Sequence, residues 1–194
     1  MTPQGNAAAT PRKPNRGRGA GPENRRALID AAREIFATEG LRAPLSSIAK
    51  RAGVGQGSLY RHFPDRLALA VAVFDENLEV VEQIAKKAET SLDDFFALIA
   101  EQAVVSTALI DLMWRSQHDE RVAHVGESLA RAARTVLDRD IGRGRVGRHV
   151  ELDDVLLAVT MLADAITRTD GADARLAVAS RVRAILHAAF APRA

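Results

Sequence analysis

The chain contains no cysteine, which excludes disulfide staples, thiolate metal sites and a cysteine nucleophile. Aromatic residues make up only 4% of it, so the few rings stand out against an aliphatic background. No apolar run approaches the ~18–20 residues that a membrane helix needs. The first residues hold no apolar segment either, so no signal peptide and no membrane association are expected, and the reading is of a cytoplasmic protein. No proline falls between Pro64 and Pro192, and alternating β-branched patterns are scarce over the same length. Also missing are a Gly-rich phosphate loop, a G-x-S-x-G elbow and an H-E-x-x-H pair. The five histidines, His62, His118, His124, His149 and His187, do not stand at zinc-ligand spacing with a carboxylate. The expectation is a protein that is not an enzyme and holds no metal or cofactor.

What is present is an uneven distribution of charge. The net charge of +2 conceals a basic front and an acidic remainder. Residues 1–66 carry 12 Lys and Arg against 5 Asp and Glu, whereas residues 67–194 carry 15 against 20. Such a division suits a phosphate-facing domain joined to one that stays off nucleic acid.

Residues 1–22 hold Pro3, Pro11, Pro14 and Pro22 among four glycines, and no large apolar side chain after Met1. This segment cannot bury enough surface to offset its ordering entropy and is expected to be a disordered basic arm. Residues 23–65 then carry helical stripes. Leu28, Ala32, Ile35 and Phe36 share one face of a first helix that ends at Gly40. Leu45, Ile48, Ala49 and Ala52 mark a second helix whose first turn accommodates Pro44. Beyond Asp65 the stripes predict helices over about 66–89, 92–115, 120–141, 153–169 and 174–190, with a loop at 142–147. The chain reads as all-α: an N-terminal three-helix domain at 23–65 and a larger helical domain at 66–194.

Residues 48–63 are the most informative. Gly53 permits a positive φ between two short helices, and Leu59 and Phe63, four apart, form an inward stripe on the second. Around its other side lie Gln56, Ser58, Tyr60, Arg61 and His62. Gln pairs bidentately with adenine and Arg with guanine, while Ser, Tyr and His are common phosphate ligands. Gly55 and Gly57 weaken a helix by about 0.8–1 kcal/mol each relative to alanine, but they allow backbone to approach DNA closely. Spacing by itself leaves two readings, a helix-turn-helix at about 44–63 or an ordinary helical hairpin.

From Arg26-Ala27-Leu28-Ile29-Asp30-Ala31-Ala32 through Phe36, Gly40, Ala52-Gly53-Val54 and Gly57-Ser58-Leu59-Tyr60-Arg61-His62-Phe63 to Pro64-Asp65-Arg66, the chain resembles the N-terminal domain of TetR/AcrR-type transcriptional regulators. The resemblance implies that residues 55–63 are a recognition helix, with Tyr60 and His62 meeting phosphate and base edges. It also implies that Arg66, where the family commonly has a lysine, contacts the DNA backbone. With Ser46 and Gly55 these complete the expected DNA-facing set. Pro44 and Gly55 depart from the Ser or Thr common at those positions.

The resemblance further implies a homodimer on a palindromic double-stranded operator, joined through the last two helices. Leu157, Met161 and Leu176, off the main apolar stripes, agree with a second buried face. A small-molecule effector is implied inside the C-terminal domain, which is similar to the SbtR-like type. Candidate lining residues are Phe74, Phe95, Phe96, Gln102, Met113, Trp114, His118, His124, Met161 and Asp164, several of which also suit plain core packing. A DNA-binding repressor released by its effector is the function expected; a ligand-independent architectural DNA-binding protein, or more remotely a helical enzyme, is the alternative.

Overall fold

The computed structural model describes residues 21–116 and 118–193, and of Asp111 and Trp114 the backbone alone. The described residues form helices without a strand: α1 (Gly21–Thr38), α2 (Leu45–Arg51), α3 (Gln56–His62), α4 (Arg66–Lys86), α5 (Leu92–Val105), α6 (Thr107–Arg115), α7 (Glu120–Gly142), α8 (Leu152–Thr167) and α9 (Ala172–Phe190). The first helix begins two residues inside the stretch read as an arm; the rest of that arm, including Arg12, Lys13, Arg16 and Arg18, lies outside the described residues.

α1 buries Leu28, Ala32, Ile35 and Phe36, and Gly40 follows it at φ 74°, in the left-handed region that ends helices. Pro44 is the N-cap of α2 rather than a member of its first turn, and it offers no side-chain cap. α4 is capped conventionally: the Asp65 carboxylate accepts from the Ala68 amide at 2.8 Å. Ser91 and Asp94 form a reciprocal capping box at the start of α5.

One helix was expected over 92–115, and the structure has two. Ser106, at φ −119° and ψ 32°, separates α5 from α6. Val104, Val105, Ser106 and Thr107 are all weak helix formers: branching stiffens three of them, and the serine hydroxyl competes for backbone partners. The turn of direction also lets α6 put Leu109 and Met113 into the core beneath α1.

Two apolar clusters organise the packing. The first joins α1, α2 and α3 to the N-terminal half of α4 through Leu69, Ala70 and Val73, and continues into Leu109, Met113, Val122 and Val125 of α6 and α7. It therefore does not stop at Asp65, where a domain boundary was expected. The second combines Val81 and Ala85 of α4 with α5, α7, α8 and α9. Leu129 packs against both. Asp140, almost wholly buried near the end of α7, accepts from the Leu92 amide at 2.8 Å and pairs with Arg145. A buried carboxylate is tolerable only with such partners, and here it ties the start of α5 to the end of α7.

Candidate nucleic-acid interface and interior cavity

The turn between α2 and α3 follows from Gly53, whose φ of 67° is costly for any residue with a Cβ. The Val54 amide donates back to the Ala49 carbonyl at 3.0 Å, which closes the turn. Gly55 caps α3 through its own carbonyl, which accepts from Ser58 and Leu59. Seven residues cannot hold a helix by backbone hydrogen bonds alone, so tertiary packing must hold α3. Leu59 at 1% and Phe63 at 2% exposure supply it, and the Arg25 guanidinium lies 5.3 Å from the Phe63 ring centre.

Anchored in this way, α3 turns its other side to solvent. Gln56, Gly57, Tyr60 and Arg61 are exposed, Tyr60 by 54%, while Ser58 and His62 are half-buried. Gly55 and Ser46 are exposed as well, and Lys50 stands one turn beyond Ser46 on α2. Arg61 and Lys50 have no ion-pair partner among the described residues, so their charge faces water. Arg51 is already occupied: it holds Glu34 of α1 with Nε at 2.9 Å and Nη2 at 2.5 Å.

Arg66, expected at the DNA backbone, has partners within the chain. Its Nη1 donates to the carbonyls of Leu41 and, at 2.6 Å, Ala43, so the side chain is half-buried under the α1–α2 loop. It fastens that loop to α4, and this use of its donors is not legible from a basic residue's position in sequence.

Beside α3, Asp65 is gripped from the far domain. Arg121 of α7 reaches it with Nη1 at 2.8 and 3.0 Å, and holds Asp119 with Nε and Nη2 at 2.9 and 2.8 Å. The Ala68 amide, then the Arg121 guanidinium, hold the Asp65 carboxyl below its ordinary range. Arg121 likewise lowers Asp119 to about 2. Arg33 of α1 meets Glu76 of α4 at 2.5 Å, a second polar tie between the front helices and α4.

A cavity of about 300 Å³ lies between α4, α5, α6, α7 and α8, at the seam of the two cores. Of the candidate lining residues, Phe74, Gln102 and Met113 line it. The other candidates need correction. Phe95 and Phe96 are 1% and 2% exposed and stack edge-to-face inside the second core, because α5 turns them toward α9. His118 is exposed in the α6–α7 link, and His124 points outward to Asp75, 2.7 Å away. Met161 is 54% exposed on the outer face of α8, and Asp164 there holds Arg168 at 2.8 Å. The side chain of Trp114 lies outside the described residues. Sequence reasoning missed Asn77, Ser106 and Gly126 on the wall. Asn77 and Ser106, polar residues at helical spacing from apolar stripes, were the available signal.

Residues 28–73 match the family model described as bacterial regulatory proteins, tetR family. The chain is 43% identical over 58 residues to the A-factor receptor protein of Streptomyces griseus, a match covering 29% of this chain and 21% of that protein. It is 37% identical over 59 residues to an HTH-type transcriptional regulator of Staphylococcus aureus (strain USA300), covering 30% and 32%. These matches thus span a third or less of the curated relatives' length. Over the whole fold the chain is similar to the crystal structure of a TetR transcriptional regulator from Streptomyces coelicolor, with a TM-score of 0.67 at 24% identity, covering 88% of this chain and 99% of that one.

Proposed function

We propose, from the premise that this chain carries a TetR-type DNA-binding domain on the fold of TetR regulators, that it is a transcriptional repressor released from its operator by a small molecule. The observation that carries this reading is the two-sidedness of α3. Leu59 and Phe63 fasten it, while Gln56, Tyr60 and Arg61 stay free to meet a major groove, with Ser46, Gly55, Gly57, Ser58 and His62 beside them. A residue reading base edges must be exposed yet rigidly held, and this helix satisfies both conditions.

One such helix reads only a half-site, so the reading includes a homodimer. Leu157 and Met161 of α8 and Leu176 and Ile185 of α9 are each more than half exposed. Large apolar side chains gathered on two neighbouring helices favour a second copy of the chain as their cover. Half-sites one DNA turn apart call for recognition helices about 34–36 Å apart, a spacing that a modest rotation destroys.

The clasp beside α3 supplies a route for release. Asp65 lies two residues past Phe63, and Arg121, which grips it, directly precedes Val122 and Ala123 on the cavity wall. A molecule that prefers a shifted first turn of α7 shifts Asp65 with it. The operator is then weakened by the ratio of that molecule's affinities for the two arrangements. The site of action would be the cytoplasm, and no helix among the described residues is long and apolar enough to cross a membrane.

Footprinting on genomic fragments selected by the purified protein tests this. A short palindromic footprint is expected; uniform coating of the fragments would replace the repressor with an architectural DNA-binding protein. Sedimentation at micromolar concentration should show a dimer, and a monomer alone would remove the dimer from the proposal.

A further inference from the structure

We infer that the cavity takes an uncharged, largely hydrocarbon molecule with one hydrogen-bonding end, of the class of long-chain alcohols, ketones, esters and lactones. The inference rests on the effector reading above and narrows it to a chemical class.

Three observations carry it. First, the described part of the wall is aliphatic and aromatic, with Phe74, Leu78, Val81, Ile110, Met113 and Val159 contributed by three different helices. Its polar side chains are Asn77, Gln102 and Ser106, all neutral. An ionised carboxylate or ammonium entering there would give up its hydration without a charged partner from the described wall, which disfavours its binding strongly.

Second, those polar groups are uncommitted. None of the three side chains hydrogen-bonds to another described residue. Gln102 and Ser106 stand one helical turn apart, and the Ser106 amide donates to the Gln102 carbonyl at 2.9 Å, which puts both on the same wall at the α5–α6 break. Amide and hydroxyl side chains both donate and accept, so they match a hydroxyl or a carbonyl equally. On the wall of an apolar chamber of about 300 Å³, the neighbouring Gln102 and Ser106 would orient a molecule with a single polar head.

Third, α7 is thinned where the cavity meets solvent. Ala123 and Gly126, three residues apart, line the cavity and are themselves exposed, and nothing lies within 4 Å of where a Cβ on Gly126 would stand. A mid-helix glycine weakens a helix relative to alanine, and no neighbour's packing requires this one. An opening wide enough to admit a ligand accounts for it.

The test uses the full-length protein without DNA and three probes that share one alkyl chain: 1-decanol, decanoate and decylamine, titrated calorimetrically at neutral pH. The neutral alcohol should bind roughly 100-fold more tightly than either ion. Gln102→Leu should weaken the alcohol several-fold. Gly126→Trp should slow or abolish its entry while helical content by circular dichroism is retained or raised; Ala123→Trp repeats the blockade from the neighbouring turn. Decanoate or decylamine binding as tightly as decanol overturns the class. Binding of decanol that both tryptophan variants leave unchanged overturns the site. Operator binding is then measured separately. Decanol that occupies the cavity but leaves the operator complex intact upholds the ligand class and defeats release by this ligand, whereas operator binding with no uptake of any probe defeats the inference and leaves the DNA-binding reading standing.

Discussion

The exposed face of α3 and the cavity wall are opposite solutions to placing a surface. α3 is seven residues long, flanked by glycine and proline, and its binding groups face water while two side chains fasten it from below. The cavity has no element of its own: five helices each lend it a few side chains, and the groups that would bind face inward. A surface displayed on one helix depends on that helix being held. A surface shared by five depends on all of them keeping their distances, and so it is the natural place to bias their arrangement. The clasp from Arg121 to Asp65 lies between the two surfaces.

The largest effect that separates them should come from truncating an anchor. Leu59→Ala removes a fully buried side chain from close packing and should cost about 2–5 kcal/mol in urea unfolding. Ile110→Ala, at a half-buried position already bordering empty space, should cost clearly less; equal costs would break the contrast between anchored helix and open wall.

Next come changes to the displayed face. Tyr60→Ala or Arg61→Ala should weaken specific operator binding by roughly 10- to 100-fold in a mobility-shift titration, with melting temperature and dimer unchanged, because each lost base or phosphate contact is worth about 1–3 kcal/mol. Near-normal affinity in both would remove the assignment of α3 as reader. Gly53→Val should destabilise by about 1–2 kcal/mol, since it forces a branched residue to φ 67°. Its DNA affinity should fall further than its stability predicts, as the turn sets the angle of α3.

Asp65→Ala should cost about 1 kcal/mol as a lost helix cap. Asp65→Asn, which keeps a capping oxygen but loses the ion pair with Arg121, should cost less and yet reduce ligand-induced release as much; release unchanged in Asp65→Asn would take the clasp out of the relay.

The smallest effect is with pH. Asp65 and Asp119 both titrate below their ordinary value, so the unfolded chain takes up protons first as pH falls. Their contribution is complete above about 3.8 and fades as pH drops toward about 2. The stability gap between the native protein and Arg121→Ala should therefore be flat from neutrality to about pH 4 and close below it; a gap that closes near pH 6 would point to another group.

The front of the molecule was legible where structure is local. A stripe such as Leu28, Ala32, Ile35 and Phe36 states which face is buried, and Gly40 and Gly53 mark places where the chain must take positive φ. The break at Ser106 was not legible, because weak helix formers permit a break without requiring one, and the packing of Leu109 and Met113 decides it. Phe95, Phe96 and Met161 show the limit for a cavity. An aromatic or sulfur side chain on a helix is equally suited to core, pore or surface until the neighbouring helices are in place. Arg66 shows it for a single cation, whose partners are carbonyls more than twenty residues away in sequence.

The sequence by itself determined the helical class, the order of the elements and the two-sidedness of α3, because helix periodicity, capping and the glycine turn act over only a few residues. Tertiary structure alone decided that the first core runs on into α6 and α7, that Arg121 reaches Asp65, and that a neutral chamber opens beside Gly126. Each depends on contacts between segments fifty or so residues apart, whose distances are fixed by packing density and not by any local pattern.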